Sequence, residues 1–150
     1  MTRPVISLPQ AVVDAMIAHA RAGFPNEACG ILAGPPRNAD RSAGALVVEQ
    51  TASHFFPMRN LDEASISYFM DPKEQLLVFK KMRELGIEMR GIFHSHVNSE
   101  AKPSQKDVRL AFYPDVSYLI VSLSDTERPV LRSFRIQDEH VQEEEIKITP

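Results

Sequence analysis

The segment GIEMRGIFHSHVNSEAKPSQKDV, residues 86–108, constrains local geometry more tightly than any other part of the chain. Gly86 opens an apolar run, Ile87 to His96, with the length and composition of a central strand. Pro103 then marks the start of a short helix expected to run through Phe112. In a strand, residues i and i+2 project from one face, so the imidazoles of His94 and His96 point the same way. At a helix start, side chains lean back toward the amino end, which turns Ser104 and Asp107 toward the strand terminus just left.

Two imidazoles and one carboxylate are ligands that suit Zn²⁺, and three protein ligands leave the fourth tetrahedral position for water, as in a catalytic site. A structural zinc site normally closes its shell with a fourth protein ligand, which this set lacks. Each half of the pattern also has a plainer explanation. Ser-x-x-Asp ahead of an apolar helix is an ordinary capping box. His-x-His at a strand end can be a core histidine beside an exposed one. Capping and metal binding are compatible with each other.

The other elements follow from periodicity. Ser7 as a cap, Pro9 in the first turn and Val12, Val13, Met16, Ile17 and Ala20 predict a first helix ended by Gly23 and Pro25. EACGILAG reads as a buried strand, and PPRNADRSAG as a solvated hairpin loop leading to a strand around Ala45 to Gln50. From Pro72, the positions Leu76, Leu77, Phe79, Lys80, Met82 and Leu85 predict a second amphipathic helix ended by Gly86. Strands follow in SYLIVSL, VLRSFRI and the tail around Ile146 to Ile148. Interleaved helices and strands, with closely spaced strands last, indicate an α/β (α+β) fold in which helices flank a mixed sheet.

The 150 residues, 43% hydrophobic, suffice for one core, so a single domain over 1–150 is expected. A formal net charge of -3 offers no surplus of cations for phosphates, which argues against nucleic acid as a partner. The amino end carries no apolar run of signal-peptide length and no stretch approaches a membrane span, so a cytoplasmic protein with no membrane partner is expected. Cys29, the one cysteine, can form no internal disulfide, and any metal must be held by nitrogen and oxygen.

At these residues the chain resembles the JAMM family, also called MPN+ or Mov34 metalloproteases, whose signature is a glutamate in an early strand and then His-x-His-Pro-x6-Ser-x-x-Asp. The spacing agrees throughout, and Val97 stands where the family usually has proline. NEACGILAG, Asp71 with Pro72, SEAKPSQKDV, SYLIVS and LRSFRI extend the likeness over nearly the whole chain, toward the compact bacterial Mec-like subgroup. The resemblance implies a fold related to the cytidine deaminase architecture and one Zn²⁺ per chain held by His94, His96 and Asp107. It further implies Glu27 as general acid and base, and Ser104 as the group that stabilises the tetrahedral intermediate. The implied substrate is the carboxyl-terminal tail of a ubiquitin-like sulfur-carrier protein, from which cysteine is released for cysteine biosynthesis. The same resemblance admits an isopeptidase or peptidase acting on other ubiquitin-like conjugates, and a non-catalytic MPN scaffold module.

The loop after His96, with Asn98, Ser99, Glu100 and Lys102, borders the metal and is expected to bind substrate. Cys29 lies in an apolar run and is read as a small buried hydrophobe rather than a nucleophile. His19, His54 and His140 have no ligand partner at useful spacing and are expected to be structural or exposed. Glu143, Glu144 and Glu145 are expected to solvate an edge strand.

Overall fold

The computed structural model describes residues 3–36 and 49–150. Its strands are β1 (Val5–Pro9), β2 (Cys29–Gly34), β3 (Glu49–Thr51), β4 (His54–Met58), β5 (Glu88–His96), β6 (Ser117–Ser122), β7 (Val130–Gln137) and β8 (His140–Thr149). The helices are α1 (Gln10–Gly23), α2 (Pro72–Leu85) and α3 (Gln105–Arg109). The strands form one sheet in the order β3-β1-β8-β7-β6-β5-β2-β4. β5 and β6 are parallel, as are β1 with β3 and β8, and the other pairs are antiparallel. This is the mixed sheet flanked by helices that the sequence indicates. Among the described residues no helix is long and apolar enough to cross a membrane.

Helices cover both faces of the sheet, which is why β2 and β6 are buried along their whole length. On one face α1 lays Val12, Val13, Met16 and Ala20 against Leu32, Phe93, Leu119 and Val121. On the other, Met82 of α2 joins Cys29, Ile31 and Ala33, while Val108 of α3 packs on the cluster of Tyr118, Ile120 and Phe134. α2 starts at the Asp71 cap, whose carboxylate accepts from Lys73 N at 2.9 Å, and ends at Gly86 with φ 68°. That left-handed conformation favours glycine.

Several expectations are corrected. Ser7 does not cap α1: it lies in β1, paired with Thr51 and Lys147, and Pro9 precedes the helix without a side-chain cap. A cap contributes only about 1 kcal/mol, whereas strand pairing here accompanies full burial of Ile6 and Leu8, each on the order of 1.5–3 kcal/mol. Leu76 and Leu77 are exposed, and α2 buries a narrower stripe through Met82, with Val78 and Phe79 packed beside it. α3 spans only Gln105–Arg109, with Ser104 rather than Pro103 at its start. β4 was not anticipated, its pattern HFFPM being short and interrupted by Pro57.

The loop expected over PPRNADRSAG lies, from residue 37 on, outside the described residues, as do residues 45–48 of the strand expected after it. β3 pairs with β1 rather than β2, so the connection is not a hairpin. Gly34, the last residue of β2, is required because a Cβ there would collide with the Thr51 carbonyl oxygen. The tail strand begins six residues before Ile146 and lies between β7 and β1, so Glu143–Glu145 are not on an edge. Glu144 is buried and accepts hydrogen bonds from Ser133 Oγ (2.7 Å) and Arg135 Nε (2.6 Å), a pairing no run of glutamates announces. His140 is the first residue of β8, opposite Gln137, rather than part of a connection.

Candidate metal centre

β5 ends in the middle of the sheet edge nearest the start of α3, and there the three predicted ligands meet. His94 Nε2 and His96 Nε2 are 3.1 Å apart, and each lies 3.2 and 3.1 Å respectively from Asp107 Oδ2. Both imidazoles are buried and Asp107 is half-buried. Among the described residues these three form the cluster of histidine, cysteine and carboxylate side chains able to hold a metal ion.

Local structure explains each position. Ser104 caps α3 through a full capping box: Asp107 N donates to Ser104 Oγ at 3.1 Å, and Ser104 N donates to Asp107 Oδ2 at 2.8 Å. The oxygen of Asp107 that closes the cap is also the one that meets the histidines, so capping and convergence are one arrangement. Ser104 Oγ accepts from the backbone and keeps its own O–H free to donate.

His96 Nδ1 donates to the Glu100 carbonyl at 2.7 Å. A carbonyl can only accept, so in the neutral ring the proton sits on Nδ1 and the Nε2 lone pair faces the cluster, the tautomer a metal ligand needs, whereas the protonated ring donates from Nε2 to Asp107. Burial opposes charge on His96, but its hydrogen bonds to Asp107 and the Glu100 carbonyl outweigh it and raise its pKa. Burial likewise pushes the Asp107 carboxyl up, and the hydrogen bonds from His94 and His96 overcome this and hold it well below the usual carboxylate range.

The donor set fits zinc. Zn–N and Zn–O bonds of about 2.0–2.2 Å place tetrahedral ligand atoms about 3.3–3.6 Å apart, and the triangle found here, with sides of 3.1–3.2 Å, is only slightly tighter. Two imidazole nitrogens and an anionic oxygen so close together suit a shared cation.

Glu27 stands beside this triangle. Cys29 pairs with His94 in register, and the ladder continues with Ser95 N donating to the Ala28 carbonyl (2.9 Å) and Ala28 N donating to Ser95 Oγ (2.8 Å). That brings Glu27 level with His96. Its side chain is 7% exposed and takes no hydrogen bond among the described residues, so its carboxyl is not committed to a structural role. Burial raises its pKa to about 7, with His96 and Lys106 lowering and Asp107 raising it further.

A carboxyl whose pKa rises on folding binds a proton more tightly in the folded state. Its ionisation therefore costs stability above about pH 7 and nothing below the unfolded value of 4.5. Glu27→Gln in the metal-free protein is accordingly expected to melt higher than wild type at pH 8 and at the same temperature near pH 4.5. Glu27 borders an open cavity of about 180 Å³ shared with Asn26, Arg59 and Asn60. Solvent screening there reduces the gain to on the order of 1 kcal/mol, or about 2–4 °C in thermal unfolding.

Asn98, Ser99, Glu100 and Lys102 are exposed at the rim, but the backbone of their loop is tied down. Ser122 Oγ donates to the Ser99 carbonyl at 2.6 Å, and Glu100 is engaged through its carbonyl with His96. Cys29 is fully buried and burial pushes its thiol up to about 12, as suits a small hydrophobe rather than a nucleophile. His19 Nε2 is bonded to the Cys29 and Met58 carbonyls and is structural, while His54 is exposed, its Nδ1 meeting only the neighbouring Ser53 Oγ. Sequence reasoning did not find Ser95, the Glu100 carbonyl, Asn60 or Tyr68, whose ring stacks on His94. The middle position of His-x-His was the one visible hint, for Ser95.

A family model described as prokaryotic homologs of the JAB domain matches residues 9–137. The chain is 41% identical over 137 residues to the CysO-cysteine peptidase of Mycobacterium tuberculosis, covering 91% of this chain and 86% of that one. It is 34% identical over 127 residues to the desampylase of Haloferax volcanii, covering 81% and 84%. A solution structure from Desulfitobacterium hafniense superposes with a TM-score of 0.82 at 43% identity, covering 96% and 92%. A JAB1/MPN domain protein from Archaeoglobus fulgidus shares the fold, with a TM-score of 0.58 at 15% identity.

Proposed function

The chain belongs to the family of prokaryotic homologs of the JAB domain, and from that premise we propose that it is a zinc metallopeptidase of the cytoplasm. Its reaction is hydrolysis of the peptide bond at the carboxyl end of a ubiquitin-like sulfur-carrier protein, which releases cysteine. One observation carries the peptidase reading: three donor atoms within 3.2 Å of one another beside a buried carboxyl that makes no hydrogen bond among the described residues. The carrier as substrate is supported by the likeness to the CysO-cysteine peptidase.

His94, His96 and Asp107 would hold the zinc. A zinc ion there supplies a Lewis acid that polarises the scissile carbonyl and acidifies water to a pKa of about 7. Glu27 accepts a proton from the attacking water as its oxygen bonds to the carbonyl carbon. The same carboxyl then returns that proton to the amine as the C–N bond breaks. Ser104 donates its free O–H to the oxygen on which charge develops. Asn98, Ser99, Glu100 and Lys102, held on a fixed backbone, line the approach of the substrate tail.

Ser104→Ala is expected to lower kcat about 100- to 1,000-fold, the usual loss for one oxyanion donor. It also removes the α3 cap, worth about 1 kcal/mol, so Ser104→Thr, which keeps hydroxyl and cap, serves as the control. Steady-state rates beside thermal melts separate the two effects.

The substrate is tested by offering zinc-loaded protein two sets of carriers, one ending in glycine-cysteine and one joined through lysine side chains, and following cleavage by intact mass. Release of cysteine from the first set supports the proposal. Preferential cleavage of the second moves the activity toward that named by the Haloferax relative. No release from either sinks the enzyme and leaves the scaffold reading.

A further inference from the structure

The two histidines of the cluster are held in different ways. His96 has its second ring nitrogen fixed by the Glu100 carbonyl, the arrangement that normally orients a ligating imidazole. His94 has no such bond among the described residues: its only hydrogen-bond contacts run from Nε2 into the cluster. A buried imidazole free to turn about its χ2 torsion would sweep Nε2 away from the other two donors.

Tyr68 occupies the place where restraint is missing. Its ring stacks on His94 with centroids 4.8 Å apart and planes 23° apart, within the range of an offset-stacked pair. Tyr68 comes from the connection between β4 and α2, residues 59–71, which has no regular structure beyond the single bridge of Asn60 with Met70. Asn60 is what holds that connection. Its Nδ2 donates to the Glu27 carbonyl (2.9 Å) and the Ser67 carbonyl (3.0 Å), and its Oδ1 accepts from Asp62 N (3.0 Å) and Phe69 N (2.9 Å). The amide thus grips both residues that flank Tyr68 and joins them to the backbone of Glu27, whose own N–H donates to the Ala64 carbonyl at 2.8 Å.

We propose that Tyr68 is a positioning residue for the metal centre, its ring holding the plane of His94 as the Glu100 carbonyl holds His96, with Asn60 pinning Tyr68 in place. The proposal rests on the reading of His94, His96 and Asp107 as metal ligands and adds a residue to it from a segment outside the His-x-His-x7-Ser-x-x-Asp pattern. It assigns the ring, not the hydroxyl, as the working part. The effect is on the pre-set direction of Nε2, so it reaches metal affinity before it reaches turnover.

The experiment measures zinc affinity by chelator competition for wild type, Tyr68→Phe, Tyr68→Leu and Asn60→Ala, with the visible spectrum of the cobalt-substituted proteins as a report of ligand geometry. Proton NMR of the His94 ring in the metal-free proteins is the third readout. Tyr68→Phe should bind zinc within about twofold of wild type. Tyr68→Leu should bind about 10- to 100-fold more weakly, the usual cost of losing a group that orients a ligand, with an altered cobalt spectrum and loss of the ring-current shift on His94. Asn60→Ala, which removes no contact to His94, should show the same loss through release of Tyr68, and it decides the matter if Tyr68→Leu does not fold. Wild-type affinity in folded Tyr68→Leu or Asn60→Ala overturns the proposal, as does equal weakening by Tyr68→Phe. If wild type itself holds no zinc, the metal-centre reading fails first and takes this inference with it.

Discussion

Glu27→Gln is expected to lower kcat by about 100- to 10,000-fold while zinc content stays at one per chain. Glutamine has the same shape but cannot accept the proton that the attacking water must lose or return one to the amine, and general acid–base groups contribute about 10²–10⁴-fold. Glu27 is suited to both transfers because burial in the metal-free protein holds its pKa well above the usual carboxylate range, and because its carboxyl makes no other hydrogen bond among the described residues. Zinc content by elemental analysis, beside single-turnover rates, checks the claim. A folded Glu27→Gln protein that has lost its zinc would remove Glu27 from the proton-transfer role and make it a ligand. The higher melting temperature expected of the same variant at pH 8 places function and stability in opposition at this one carboxyl.

Removal of a ligand is expected to be more damaging still. His94→Ala and Asp107→Asn should reduce cleavage to background and weaken zinc binding beyond the 10–100-fold typical of residues that only orient ligands. Asp107→Asn is the sharper of the two, since an amide oxygen can still accept from Ser104 N and keep α3 capped. Lost activity with an intact melt then reports the metal and not the helix. Chelation should likewise abolish activity yet leave the protein folded, because the packed clusters on both faces of the sheet include none of His94, His96 and Asp107. Zinc binding should weaken as pH falls. Asp107 and the Glu100 carbonyl raise the pKa of His96, so below that raised value the ion must displace a proton, and isothermal titration at several pH values will show the release. Affinity unchanged between pH 6 and 8 would remove His96 from the ligand set.

The mixed character of the sheet, the two long helices and the convergence of His94, His96 and Asp107 were legible because each is encoded by short-range pattern. Gly86 to His96 reads as a strand from its own residues, and a strand aims His94 and His96 together whatever surrounds it. Ser104 and Asp107 likewise form a capping box from a spacing of three. Glu27 came from family resemblance alone, since nothing in its neighbourhood in the chain says that β2 will pair with β5 in the register that sets Cys29 opposite His94.

Where expectation failed, a distant partner overruled a local signal. Ser7 resembles a cap, but the carbonyls and N–H groups of β8 and β3 draw Val5–Pro9 into the sheet. Glu144 resembles a solvated charge, but Ser133 and Arg135 across the β7–β8 ladder bury it. Tyr68 stands 26 positions from His94 in a segment without periodicity, and Asn60 sets its place through four hydrogen bonds that no pattern announces. The sequence by itself determined that His94, His96 and Asp107 converge, because strand and helix geometry act over two to four residues. Only the tertiary structure decided what holds Glu27 and His94 in place, because those contacts exist once β2, β5 and the connection from β4 have met.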